Sequence, residues 1–322
     1  MTGCTPLISH PLSSSERLKM MNYFTPNETA IRWKISGQMV RRYCKEGRIP
    51  GAITGEDGWL IPENAVKPGS FYERDTENSP LVKRILYQKI RNNHFGIYEY
   101  LQVNAAYSSC RMSSNRLTRV QVQGLYRTDR VLNGFEPATV DDIIEVINHF
   151  MAMDAVLDTI QDAITQAYCK KLHHLLTYGT YADREHKLAV GAYRKKETRA
   201  NKGVHTSPEN INSAMTALFK AYEKEPATLE RIVGFHVQFE RIRPFDDYNG
   251  RVGRLLMIKE CLRNNIDPFI IDDKRRSEYT KGIAAWDTNP EILMNAIRES
   301  QQRFQAKMEV CKLMQYERDR KF

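Results

Sequence analysis

The sequence predicts a mainly α protein of two unequal domains, and three observations predict it. From Pro80 onward apolar residues recur at helical spacing, most clearly over Val140 to Leu157, Thr159 to Leu176, Pro208 to Lys224 and Thr228 to Phe239. Residues 22 to 68 read instead as short helix, turn, helix and strand pair. Between the two patterns, Lys67 to Ser79 holds Pro68 and Gly69 and reads as a linker. The expected divisions are 1–20 as a disordered lead or misassigned start, 21–68 as a small domain and 69–80 as the linker. A large helical domain follows at 81–310, with its core at about 140–305, and 311–322 form a C-terminal tail.

With 322 residues the chain can bury a sizeable core, and a net charge of +9 favours acidic partners such as nucleic acid or nucleotide phosphates. The six cysteines are scattered, form no CxxC pair and read as reduced thiols. No apolar run approaches the length needed to span a bilayer, and no signal-peptide core is visible, so a cytoplasmic protein without a membrane partner is expected.

In the small domain, Thr25 can cap a helix, Pro26 suits its first position and Glu28 can return the capping-box bond. Ala30 and Trp33 face inward, Ser36 caps again, and a second helix runs from Gly37 to about Glu46 before Gly47 ends it. Ala52 to Thr54 and Trp59 to Ile61 flank a turn at Gly55 to Gly58. The span TPNETAIRWKISGQMVRRYCKEGRIPG followed by WLIP resembles the small winged helix-turn-helix of the MerR and excisionase type. Arg41, Arg42, Lys45 and Arg48 then form a set suited to the phosphates of duplex DNA. A protein-binding adaptor of the same fold, with solvated arginines, is the other reading.

The large domain carries one segment of unusual chemistry, FHVQFERIRPFDDYNGRVGRLLMIKECL. Phe235 and Phe239 lie on one helix, and Leu255, Leu256 and Ile258 on the next. In the loop between them Pro244 stiffens the chain, Asp247 offers a hard oxygen, and Asn249 and Gly250 let backbone amides approach an anion at a helix N-terminus. Arg251 and Arg254 share one face of the first turn, where cations oppose the helix dipole unless an anion sits there. An ordinary helix-helix turn with snorkelling arginines accounts for the same residues.

The stretch RPFDDYNGRVGR is similar to the Fic signature HPFxDGNGRxxR, matching at proline, phenylalanine, aspartate, asparagine, glycine and both arginines. YSSCRMSSNRLT resembles the family's inhibitory segment YNSNKIEGNxLT, and VGAYRK the approach to its flap hairpin, so the likeness covers about residues 85 to 310. The resemblance implies an all-helical Fic-type domain with a small flap hairpin. In that family the signature histidine deprotonates a target hydroxyl, which attacks the α-phosphorus of ATP and leaves AMP on a target protein. It further implies ATP and Mg as cofactors, Asp247 as the metal ligand, and Asn249, Gly250, Arg251 and Arg254 at the phosphates, with Phe245 anchoring the loop.

The departures matter as much. Arg243 stands where the base histidine belongs, and a guanidinium has no acceptor nitrogen. Loss of a positioned base removes about two to four powers of ten in rate. Tyr248 replaces a signature glycine and restricts the backbone of the cradle. In the segment containing Ser109, the inhibitory glutamate corresponds to Ser113, followed by Ser114. Brake and base are lost together, which favours a retired active site acting as a nucleotide-binding or regulatory, DNA-associated module. A transferase with altered chemistry is the alternative. Lys196 to His205 reads as a flap edge for a target protein, and a homo-oligomer is expected for paired DNA half-sites. His173, His174, His205 and His236 lack metal-ligand company, and Tyr279 and Trp286 read as core more than as adenine platform.

Overall fold

A computed structural model describes residues 23–33, 35–45, 49, 51–55, 58–63, 65, 79–91, 95–130, 138–197 and 205–319, with side chains to residue 311. The chain divides into two compact units, residues 1–76 and 77–322. The expectations for 1–20, for Arg48 and for most of the linker and flap fall outside the described residues.

The small unit holds α1 (Pro26–Trp33), α2 (Gly37–Lys45) and a three-stranded antiparallel sheet of β1 (Tyr23–Phe24), β2 (Ile53–Gly55) and β3 (Gly58–Pro62), in the order β1-β3-β2. The caps form as the residues dictate. Thr25 N donates to Glu28 at 2.7 Å while Glu28 N donates back to the Thr25 hydroxyl at 3.3 Å, and Met39 N donates to the Ser36 hydroxyl at 3.2 Å. Ala30, Trp33, Val40, Tyr43, Cys44, Ile49 and Ile61 close the core. The sequence reading found β2 and β3 but not β1, whose two residues pair with Pro62 and Ile61.

The large unit is helical: α3 (Pro80–Ile90), α4 (Ile97–Arg111), α5 (Arg119–Thr128), α6 (Val140–Asp158), α7 (Gln166–Thr177), α8 (Tyr181–Arg184), α9 (Ile211–Tyr222), α10 (Leu229–Ile242), α11 (Asn249–Arg263), α12 (Arg276–Ala284) and α13 (Glu291–Asp319). Side-chain oxygens of Thr118, Thr139, Thr165, Thr180 and Thr228 cap five of these. At the centre stands α11, packed by α4, α6, α7 and α10. Apolar residues on every side of it, Val252, Leu255, Leu256, Met257, Ile258 and Leu262, are buried, as a helix enclosed on all faces requires. The last helix continues through the segment read as a tail.

One boundary is corrected. Thr159 to Leu176 is not one helix: α6 ends at Thr159 and α7 begins after Thr165, whose hydroxyl accepts from Tyr168 N at 3.1 Å. The buried Lys259 of α11 donates from Nζ to the Thr159 carbonyl and hydroxyl, satisfying the end of α6. No described helix is long and apolar enough to cross a membrane.

Candidate nucleotide site

The loop joining α10 to α11 is held from four sides. Phe245 is fully buried and stacks on His173 with ring centroids 4.1 Å apart. Asn249 staples the loop internally: its Oδ1 accepts from Phe245 N at 3.0 Å and its Nδ2 donates to the Phe245 carbonyl at 2.9 Å. Arg194, 2% exposed, donates from N to the Pro244 carbonyl at 2.9 Å, from Nε to the Arg243 carbonyl at 2.8 Å, and from Nη2 to the Thr206 carbonyl. Asp246 Oδ2 accepts from Ala189 N at 3.0 Å, which ties the loop to the segment before Gly191.

Both departures from the signature lie in left-handed backbone, Arg243 at φ 46° and Tyr248 at φ 64°. The glycine preference at 248 is thus a real backbone demand, and the tyrosine meets it at a cost of about 1 kcal/mol. Its ring is buried, and its hydroxyl donates to Glu145 Oε1 at 2.8 Å. Arg251, 3% exposed, donates to the same oxygen at 2.8 Å. Burial opposes the Arg251 charge, but Glu145, Tyr248, Cys110 and Asp247 together outweigh it and hold the guanidinium more firmly protonated.

Arg254 Nε donates to the Ser109 hydroxyl at 2.9 Å and Nη2 to the Ser109 carbonyl at 3.3 Å, so a serine of the segment read as inhibitory holds the second arginine. Ser113 lines the site without taking that role, and Ser114 occupies a left-handed turn at φ 72°. Tyr248 caps α11 without a side-chain bond and the first turn carries no acid, which leaves its amides for an outside anion.

These residues border a cavity of about 800 Å³. Arg241, Arg243, Arg251, Arg254 and Arg276 line it against Glu240 and Asp247, together with Ser113, His205, Gly250 and Tyr279. The excess of guanidinium gives the cavity a positive lining, of the kind that suits an anion. Gly250 leaves room for two side-chain ends: a Cβ there would meet Arg254 Nη1 at 2.7 Å and Glu240 Oε1 at 3.1 Å and would push them aside. Burial pushes the Glu240 carboxyl up, against the pull of Arg254 and Arg243. Burial, seconded by Arg243 and Arg194, lowers His205, although its Nδ1 lies 2.9 Å from the Arg241 carbonyl.

Asp247 is 62% exposed; its Oδ1 accepts from Tyr248 N at 2.7 Å and its Oδ2 is 3.9 Å from Arg251. One open carboxylate beside a phosphate receptor suits magnesium, which keeps waters and takes its other ligands from phosphates. No cluster of three or more metal-ligating side chains occurs among the described residues. Tyr279 is buried, its hydroxyl hydrogen-bonded to His236, yet it reaches the cavity wall, while Trp286 packs beside Gly234. The sequence reading had no signal for Glu145, Arg194 or Glu240, whose roles depend on distant partners.

Residues 163–261, within the large unit, match the Fic/DOC family model. A protein adenylyltransferase Fic from Nematostella vectensis is 26% identical over 183 residues, 54% of this chain and 40% of that protein. The chain thus spans well under two thirds of that relative. Among solved structures, a Fic domain containing signaling protein from Bacteroides thetaiotaomicron superposes with a TM-score of 0.57 at 19% identity, over 75% of this chain and 92% of the other. A Fic family protein from Desulfovibrio desulfuricans gives 0.52 at 22%, over 70% and 74%. Fic-1 from C. elegans gives 0.54 at 19%, over 76% and 70%. The mainly helical fold is therefore that of the Fic domain.

Proposed function

We propose, taking the likeness to the Fic/DOC domain as premise, that the large unit binds ATP with magnesium in the arginine-lined cavity and transfers little or no AMP. One observation carries the reading: the cavity at the N-terminus of α11 gathers five arginines, and the position of the family's base is one of them, Arg243. Asp247 would hold the metal against the phosphates, Arg254, Arg243 and the α11 amides would receive their charge, and Tyr279 would border the ligand. Magnesium, when bound, supplies neutralisation of phosphate charge. Arg243 has no acceptor nitrogen for proton abstraction, and Asp246, its neighbour in the loop, is oriented by the bond its Oδ2 accepts from Ala189 N. The test is ATP binding by calorimetry beside transfer of labelled AMP to protein; binding without transfer is expected, and transfer that survives Arg243→Ala would demand another base.

The small unit adds a second reading, a DNA-associated module. Arg41, Arg42 and Lys45 are all exposed on α2, with Arg41 donating to Asn27 Oδ1 at 3.1 Å, and Arg48 follows in sequence. These cations suit duplex phosphates, and the intact chain would bind DNA as a homo-oligomer on paired half-sites. A target protein at Lys196 to His205 belongs to the alternative, an active transferase.

A further inference from the structure

The cavity holds a carboxyl that the nucleotide reading leaves unused. Glu240 lies on α10, one turn before Arg243, and its Oε1 is sealed from solvent with no hydrogen-bond partner. That oxygen and Arg254 Nη1 converge over the backbone of Gly250, at the first turn of α11 where the anion receptor is built. Arg254 gives its hydrogen bonds to Ser109 instead. An ionised, unbonded carboxylate there costs desolvation energy and repels an arriving phosphate, whereas a protonated one does neither.

We propose that Glu240 gates the cavity by its proton: a polyphosphate seats on Arg254 and Arg243 when this carboxyl is protonated and is repelled when it is ionised. The groups facing it come from every neighbouring element. Arg254 comes from α11, Arg243 and Asp247 from the loop and Tyr279 from α12, and the cavity they share is further lined by Arg251 of α11, His205 from the segment before α9, Arg276 of α12 and Arg241 of its own helix. Arginines favour its ionised form and Asp247 opposes it, while burial raises its pKa above the ordinary carboxylate range. A bound polyphosphate adds negative charge beside it and raises it further, so binding takes up a proton. The inference deepens the nucleotide reading, on which it rests for the identity of the ligand, though its chemistry requires only a polyphosphate.

The experiment is calorimetric titration of the full chain and Glu240→Gln with ATP and, separately, inorganic pyrophosphate, at pH 6 and pH 8 with magnesium fixed. Ligand ionisation is common to both proteins and cancels in their ratio. Glu240→Gln should bind both ligands about tenfold more tightly than wild type at pH 8, with the advantage shrinking at pH 6. Glu240→Met, also uncharged, should behave alike and serves if the amide fails to fold. A ratio of affinities that stays the same at both pH values overturns the gate alone. Pyrophosphate binding without ATP binding overturns the nucleotide reading alone, and binding of neither ligand by any variant overturns both.

Discussion

The Arg251 guanidinium lies over the ring of Tyr248, its carbon 3.3 Å from the ring centroid, and both side chains donate to Glu145 Oε1. The tyrosine that replaces a signature glycine is therefore built into the core of the loop. Tyr248→Phe should cost about 1 kcal/mol, the net value of one hydrogen bond. Tyr248→Gly gains about 1 kcal/mol of relieved left-handed strain but deletes a buried ring worth about 3–5 kcal/mol, so a net loss of about 2–4 kcal/mol is expected. Urea unfolding of both variants reads the difference, and a glycine variant more stable than wild type would show that the ring contributes no packing.

Arg251 and Arg254 should separate folding from binding. Arg251→Ala removes the guanidinium paired with Glu145, whose side chain is 17% exposed and keeps only neutral donors in Tyr248 and Asn115, and should destabilise the protein by about 3 kcal/mol. Arg254→Ala loses the hydrogen bonds to Ser109 and, among the described residues, no carboxylate ion pair within 4 Å, so it should destabilise less than Arg251→Ala while losing most ATP affinity. The opposite pattern in paired unfolding and calorimetric measurements would exchange the two roles.

Acid should weaken the fold through buried histidines. Burial lowers His149, His173 and His236 to about 3 each. The unfolded chain takes up their protons as pH falls below about 6.5, while the folded chain resists until about 3. Stability therefore declines as pH falls through that window, by about 1.4 kcal/mol per pH unit for each histidine once well below 6.5. His149→Gln should shallow the slope between pH 6 and pH 5 by about one proton, and an unchanged slope would remove that residue from the account.

If the cations of α2 meet duplex phosphates, affinity for DNA must fall steeply with salt. Arg41→Ala or Lys45→Ala should each reduce the logarithmic salt slope by about one. Gel shifts of the intact chain across a salt series check this, and no binding even at low salt would leave the adaptor reading of the small unit.

The parts legible in the sequence were those set by neighbours along the chain. Thr25 with Glu28, Ser36 with Met39 and Thr228 with Arg231 act over three residues, so the helix starts they fix could be read directly. The signature loop was legible because its proline, asparagine and glycine act within a few positions of one another, and Phe245 proved to be its anchor. What stayed hidden was set by distance. Arg254 meets Ser109 across 145 residues, in a segment that the resemblance marks though not as this partner, and Arg251 meets Glu145 across 106, where no local pattern marks the partner. The strand at Tyr23–Phe24 is too short for an alternation to show, and the break at Thr159 depends on Lys259, a hundred positions on.

The central claim is that the cavity keeps its nucleotide and has lost its transfer. Equilibrium dialysis with ATP labelled on the α-phosphate, with the same sample then denatured and counted for covalent label, tests both halves at once. The account predicts saturable, magnesium-dependent retention that Arg254→Ala abolishes, with no label left after denaturation. Label that survives denaturation of the wild type and rises with time would contradict it.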